Sequence, residues 1–295
     1  MDACTLCPRM CGVNRAAGEK GYCGMDATIR AARAALHMWE EPCISGTQGS
    51  GAVFFSGCSL RCIFCQNFEI AEGNCAKEIS GERLSEIFLE LQEQGAANIN
   101  LVTAAHYVPA VIESLKKAKA QGMDLPVIYN SSGYERVETV QMLEAVVDVW
   151  LPDFKYMDSK LAFAYSRAKD YPEVARAAIR EMMKAAGTCA YDEDGYIQKG
   201  VIVRHLILPG HTKNSIAVLD ELYGTYGDDL IISLMNQYTP LPQVWNIPDL
   251  NRRVTKREYE KVLDHALDLG ITQGFFQEGG TAKESFIPLF DYEGL

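Results

Sequence analysis

Gly57-Cys58-Ser59-Leu60-Arg61-Cys62-Ile63-Phe64-Cys65-Gln66-Asn67 follows almost directly on a short apolar run, Gly51 to Phe55. The run reads as a strand, so the three thiols of a C-x3-C-x2-C spacing fall in the loop that leaves it. Three thiolates at this spacing can hold three irons of a [4Fe–4S] cube and leave the fourth iron without a protein ligand. That position is open to a small molecule, which suits chemistry better than electron storage. Structural zinc takes four protein ligands, and this motif offers three. Three cysteines of an ordinary core would need neither the flanking glycine nor the strand before them.

Downstream of the motif, strand and helix alternate. Leu84 to Gln94 reads as a helix, with Leu84, Ile87, Phe88 and Leu91 on one face. Strands are expected at Asn98–Thr103, Pro126–Asn130, Val146–Phe154, Gly200–Leu208, Leu230–Met235 and Ile271–Phe276. Helices fill the gaps at Val108–Lys119, Arg136–Leu143, Ser159–Lys169, Glu173–Ala186, Asn214–Tyr223 and Lys256–Leu269. Six or seven βα units with apolar strands predict an α/β fold. It is a parallel sheet curled into an incomplete barrel, with helices outside and the site at the C-terminal ends of the strands.

The motif resembles that of the radical S-adenosylmethionine (SAM) superfamily, with Phe64 as the aromatic residue before the third cysteine. The Cys-Gln-Asn ending is similar to the branch that resembles the pyruvate formate-lyase-activating enzyme. The resemblance implies a partial (β/α)6 barrel over roughly residues 50–280 and SAM bound to the open iron through its amino and carboxylate groups. It further implies cleavage to methionine and a 5′-deoxyadenosyl radical that abstracts a hydrogen atom. An electron donor such as a flavodoxin or ferredoxin follows, and the substrate is a glycyl-radical protein, a small molecule or a peptide.

Candidate SAM and substrate contacts come from the loop and the strand ends. Phe64 and Asn67 flank the third cysteine. Thr103 and His106 stand where many superfamily members carry Gly-Gly-Glu, which this chain lacks. Asn130 and Ser132 offer hydrogen bonds to a ribose or carboxylate. Asp153 and Lys155 should point to one side together, and their Asp-x-Lys pattern is similar to that of the activating enzymes. Arg204, inside a run of Val, Ile and Leu, needs an anion: the SAM carboxylate or Asp153. Met235 suits packing on adenine, and Asn236, Gln237 and Tyr238 suit the substrate side. The last strand runs into Gln277-Glu278-Gly279-Gly280, a flexible acidic turn.

A second cysteine group lies before the motif: Cys4, Cys7, Cys11 and Cys23, among glycines and a proline. Four thiolates make a closed site for zinc or a second iron–sulfur cluster. The comparable activating enzymes carry extra cluster domains after the motif, so activation of a glycyl-radical partner does not follow from this arrangement. The chain divides into residues 1–46, a Cys-rich metal-binding segment with a connector, and residues 47–295, the partial barrel with a C-terminal extension. Residues 25–50 read as that connector, stopped by Pro42, and Cys43 reads as a buried thiol. The segment Tyr238–Arg253, with three prolines, has the length of a lid or a partner surface.

Composition bounds the rest. The 295 residues are 48% hydrophobic, enough for a packed α/β core. A net charge of −11, from 28 basic and 39 acidic residues, argues against a nucleic-acid partner. The N-terminus lacks a signal pattern and no apolar run is long enough to span a membrane, so a cytoplasmic protein is expected. Ten cysteines then read as metal or redox groups. The competing classes are an iron–sulfur electron carrier, which would normally supply four ligands, and a zinc-binding scaffold.

Overall fold

The computed structural model describes residues 3–277 and 288–295. In chain order the elements are β1 (Arg30–His37), α1 (Pro42–Ser45), β2 (Ser50–Phe55), α2 (Phe68–Ala71), β3 (Lys77–Glu78), α3 (Gly81–Glu93) and β4 (Ile99–Val102). There follow α4 (Val108–Ala120), β5 (Val127–Ser131), α5 (Val137–Leu143), β6 (Val149–Pro152), α6 (Ser159–Ser166), α7 (Tyr171–Ala186) and β7 (Ala190–Tyr191). The chain continues through β8 (Ile197–Leu206), α8 (Thr212–Tyr226), β9 (Ile231–Met235), α9 (Lys256–Asp268) and β10 (Gly274–Phe276).

The sheet runs β10-β9-β8-β6-β5-β4-β2-β1-β3, with β7 paired to β8 at one side. Every neighbouring pair from β2 to β10 is parallel. Seven parallel strands are therefore joined by six helical crossovers, in sequence order, and the sheet does not close on itself. This is the expected partial barrel. Its order follows from the strands' chemistry: β2 is buried along its whole length, and β4 and β6 likewise, so both faces need cover. Helix α3 supplies such cover with Leu84, Ile87, Phe88 and Leu91, each almost fully buried. Burial of side chains this size contributes about 1.5–3 kcal/mol apiece.

The connector expected over residues 25–50 is instead part of the sheet. Strand β1 pairs antiparallel with β2 from Ala31↔Phe55 to His37↔Ser50, and so crosses the expected division at residue 46. Pro42 does not end structure there; it occupies the first turn of α1, where its missing N–H costs nothing. The outer side of β1 is paired in turn by the C-terminal residues, where Tyr292 N–H donates to Ala32 O at 3.0 Å and Ala34 N–H to Glu293 O at 2.9 Å. Arg33 bridges to Asp291 at 2.6 Å. An open strand edge is thereby covered.

The long segment after β9 is pinned beside α9 rather than laid over the strand ends. Tyr238 is buried and donates to Leu250 O at 2.7 Å, and Val244 and Leu250 are fully buried. Arg252 reaches Glu258 on α9 at 2.7 Å. Residues 278–280 of the acidic turn lie outside the described residues. Among the described residues no helix is long and apolar enough to cross a membrane.

Candidate active site

The loop after β2 is shaped before any cofactor is considered. Gly57 has φ +91° and its N–H donates to Ile70 O at 2.7 Å. A Cβ there would stand 2.4 Å from Met25 Cγ and 2.9 Å from Cys23 O, so the backbone approach requires glycine. Cys65 N–H closes a turn onto Cys62 O at 3.1 Å, and Ile63 N–H is held by Tyr165 O at 2.9 Å. Phe64 is buried among Tyr156, Tyr165 and Tyr238, edge-on to all three. The aromatic residue before the third cysteine thus anchors the loop to α6 and to the segments that follow β6 and β9.

Cys58, Cys62 and Cys65 line one wall of a cavity of about 690 Å³. All three are half-buried and unpaired with one another. Ser166 donates to Cys62 Sγ at 3.0 Å, and Tyr156 meets the same hydroxyl at 2.7 Å. Burial pushes the Cys62 and Cys65 thiols up, while the nearby Lys155 ammonium pulls the other way. Among the described residues no group of three or more His, Cys, Asp or Glu side chains is gathered tightly enough for a single metal ion. Three soft thiols spread along one wall, with a cation beside them and the cavity in front, fit a cube with one corner left open.

The rest of the wall comes from the C-terminal parts of all seven parallel strands. Asn67 at the start of α2, Thr103 after β4, Asn130 and Ser132 at β5, Asp153 and Lys155 at β6, Arg204 on β8 and Met235 on β9 all line the cavity. Gln66 and Gln237 join them, tied by Gln66 Nε2–H to Gln237 O at 3.0 Å. Thr103 has φ +62°, rare for a β-branched residue, and its N–H donates to Asn130 O at 2.9 Å. Lys155 donates to Asp153 at 2.5 Å. Burial works against the Lys155 charge, but Asp153 and the Cys62 thiol hold its pKa above the ordinary value.

Several expected residues lie elsewhere. His106 is buried in a single 3-10 turn, with Nε2 on Ser56 O at 2.7 Å and its ring against Tyr107. It backs the cysteine loop and is absent from the cavity wall, because the chain turns away after Thr103. Burial pulls its pKa down to about 4, so it is neutral. Tyr238 points into the core, as described, and Asn236 meets Gln277 through its backbone at 2.9 Å. None of residues 238–253 lines the cavity. Cys43 is a buried core thiol.

Arg204 has an anionic partner that is not Asp153. Its Nε–H donates to Glu41 at 2.8 Å, and its Nη2 bonds both Glu40 and Glu41. Because β1 runs antiparallel to β2, these glutamates stand at the opposite end of the barrel and form the cavity's floor. Asn100 Nδ2–H donates to Glu40 at 2.9 Å, and Asn130 Nδ2–H reaches it at 3.5 Å. Burial raises the cost of the Glu41 charge, but Arg204 holds its carboxyl below the ordinary value. Glu40 and Glu41 escape a reading of the sequence, since their segment looks like a connector. The run Trp39-Glu-Glu-Pro42 before the apolar Cys43-Ile44 was the available signal.

Residues 45–169 match a protein family described as a 4Fe–4S single cluster domain. An uncharacterised protein of Methanocaldococcus jannaschii is 29% identical over 270 residues, covering 89% of this chain and 74% of that one. Among solved structures, HydG, a maturase of the [FeFe]-hydrogenase, superposes with a TM-score of 0.52 at 14% identity, over 72% of this chain and 48% of HydG. SuiB of Streptococcus suis bound to S-adenosylmethionine gives 0.47 at 13% identity, over 76% of this chain and 49% of SuiB. A domain of pyruvate-formate lyase-activating enzyme from Bacteroides vulgatus gives 0.41 at 17% identity, over 58% of this chain and 92% of that one. The chain thus spans about half the length of HydG and SuiB.

Proposed function

We propose that the chain is a radical SAM enzyme with a [4Fe–4S] cluster and SAM as its cofactors, and that it cleaves SAM reductively to take a hydrogen atom from a bound substrate. The observation that carries this reading is the convergence of Cys58, Cys62 and Cys65 with polar strand-end residues on one cavity wall. Cys58, Cys62 and Cys65 would hold the cluster, and the chemistry it would supply is the one electron needed to split SAM into methionine and a 5′-deoxyadenosyl radical.

The chain's own residues do the rest. Phe64 fixes the cysteine loop against the barrel, and Thr103, Asn130 and Ser132 present hydroxyl and amide groups to the polar parts of SAM. Lys155 places a positive charge near the thiolates, which lowers the cost of gathering negative charge there. Met235 and the ring of Phe276 offer apolar surface to the adenine side. Arg204, neutralised by Glu41, is a floor rather than a free anion receptor. A substrate in the cavity would have to be held with its target C–H near the 5′-carbon, without which a primary radical reacts indiscriminately.

A second reading is narrower: activation of a glycyl-radical protein, favoured by the Asp153-Lys155 pair on the cavity wall. A small molecule or a peptide loop fits a cavity of about 690 Å³ equally well. The test is formation of 5′-deoxyadenosine from SAM and dithionite by the anaerobically reconstituted protein, beside a Cys58→Ala, Cys62→Ala, Cys65→Ala variant. Product from the native chain alone supports the proposal. An intact cluster without cleavage would move the electron-carrier reading ahead.

A further inference from the structure

We propose that Cys4, Cys7, Cys11 and Cys23 hold a second [4Fe–4S] cluster, and that it delivers electrons to the cluster on Cys58, Cys62 and Cys65. The relay rests on the function proposed above; the second cluster itself does not.

The four cysteines come from two turns, each closed by its own backbone hydrogen bonds. Cys4 N–H donates to Val13 O at 2.9 Å, Gly12 N–H to Cys4 O at 3.0 Å, and Met10 N–H to Cys7 O at 3.0 Å. From the other turn, Gly24 N–H donates to Gly21 O at 2.9 Å. Gly21 is where the thiols meet: a Cβ there would stand 2.8 Å from Cys11 Sγ and 3.9 Å from Cys23 Sγ. Cys4 and Cys7 lie within electrostatic reach of Cys23. Cys4, Cys7 and Cys23 are buried and Cys11 is exposed. Leu6 and Met25 are buried with them, so three of the thiols are held in the interior and the fourth faces outward.

A second observation points the same way. Arg15 is only 3% exposed, stands near Cys23, and donates to the backbone of His106 and Asp26. Its Nε–H is buried without a protein partner. A buried guanidinium with a spare donor near Cys23 suits the negative charge and sulfur acceptors of a cluster. Four thiolates complete the coordination of zinc and leave no acceptor for a further donor, whereas the bridging sulfides of a cube would accept from the spare Arg15 Nε–H. A cube carries each thiolate on a different iron and so spreads them.

The segment is docked on the catalytic loop at both sides of Cys58. Cys23 O packs on Gly57, as its glycine requires, and Arg9 donates to Ser59 O at 2.9 Å. Arg9 also donates to Ser166 O at 2.8 Å, the residue whose hydroxyl bonds Cys62 Sγ. On the far side, Arg136 holds Thr5 O and Thr139 holds Leu6 O, both at 2.7 Å. The arrangement has an outer face at Cys11 and an inner face at Cys23. A low-potential one-electron donor reduces the second cluster by one electron, and that same electron passes through the Cys23–Gly57–Cys58 contact to the first. No atom or proton moves with it.

The experiment uses full-length protein reconstituted anaerobically with iron and sulfide. The native chain should bind about eight irons, and the Cys58→Ala, Cys62→Ala, Cys65→Ala variant about four, with matching sulfide. After dithionite reduction the variant should keep an electron paramagnetic resonance signal that SAM does not shift. A Cys11→Ser chain should lose that signal, retain the SAM-responsive one, and show slower reduction of the latter after rapid mixing. A native chain with about four irons, or with zinc in place of the second set, overturns the proposal. If the triple variant does not fold, the native iron count still decides. A second signal in a native chain that fails to cleave SAM would overturn the proposed function and leave the second cluster standing.

Discussion

Arg204 shows how far a single residue can be read. An arginine in an apolar strand announces that an anion must meet it, and the structure supplies two, Glu40 and Glu41. Their identity was hidden because they come from a turn more than 160 positions away, on a strand of opposite direction. Removing the guanidinium leaves two carboxylates almost without water. Arg204→Ala should therefore cost about 3–5 kcal/mol and lower the thermal midpoint on the order of ten degrees. Calorimetry of the variant checks this, and an unchanged midpoint would contradict the ion-pair role. The pH dependence follows from the same pair. Glu41 titrates below its ordinary 4.5 in the folded chain. Its contribution to stability is complete above that value and fades as pH falls through the depressed one. Urea midpoints of the native chain should drop below pH 4.5 more steeply than those of Glu41→Gln. Thr103 makes the converse case: its left-handed backbone opposes a β-branched side chain. Thr103→Gly should relieve on the order of 1 kcal/mol, leaving the midpoint no lower, while weakening SAM binding measured by calorimetric titration.

Among the elements, those with regular apolar periodicity were legible and the two that depend on distant partners were not. The faces of α3 and the parallel strands announced themselves. Strand β1, Arg-Ala-Ala-Arg-Ala-Ala-Leu-His, did not, because alanine disfavours strands and no alternation marks its faces. It is a strand because β2 and residues 292–293 pair with its two sides. Two changes probe element-level design. Helix α9 begins with a reciprocal cap in which Thr255 and Glu258 satisfy each other's backbone N–H. Thr255→Ala should cost about 1 kcal/mol with 5′-deoxyadenosine formation unchanged, since α9 is remote from the cavity. Gly57→Ala should act oppositely. Its methyl group would strike Cys23 O and Met25 across a φ of +91°, prying apart the two cysteine loops. Iron bound after reconstitution should fall while the helical circular dichroism of the barrel persists.

For the whole molecule, the site is where sequence separation is greatest. All seven parallel strands contribute to one cavity wall, the cysteine loop supplies one side, and Glu40 and Glu41 close the floor. The three-cysteine motif and the strand ends could be read because each carries a local signal. What joins them, including the displacement of His106 from the wall, depends on how the strands register. The same convergence gives a whole-chain expectation for SAM. Ligand that binds only the folded chain stabilises it by mass action, about 2.7 kcal/mol at a hundredfold excess over Kd. The reconstituted native chain should show this as a raised thermal midpoint on adding SAM. The Cys58→Ala, Cys62→Ala, Cys65→Ala variant keeps Asn130, Ser132 and the apolar wall but would lack the open iron that the proposed function assigns to the amino and carboxylate groups. Its shift should be much smaller. Equal shifts in both proteins would mean that the strand ends alone hold SAM, and the three thiols would then need another purpose.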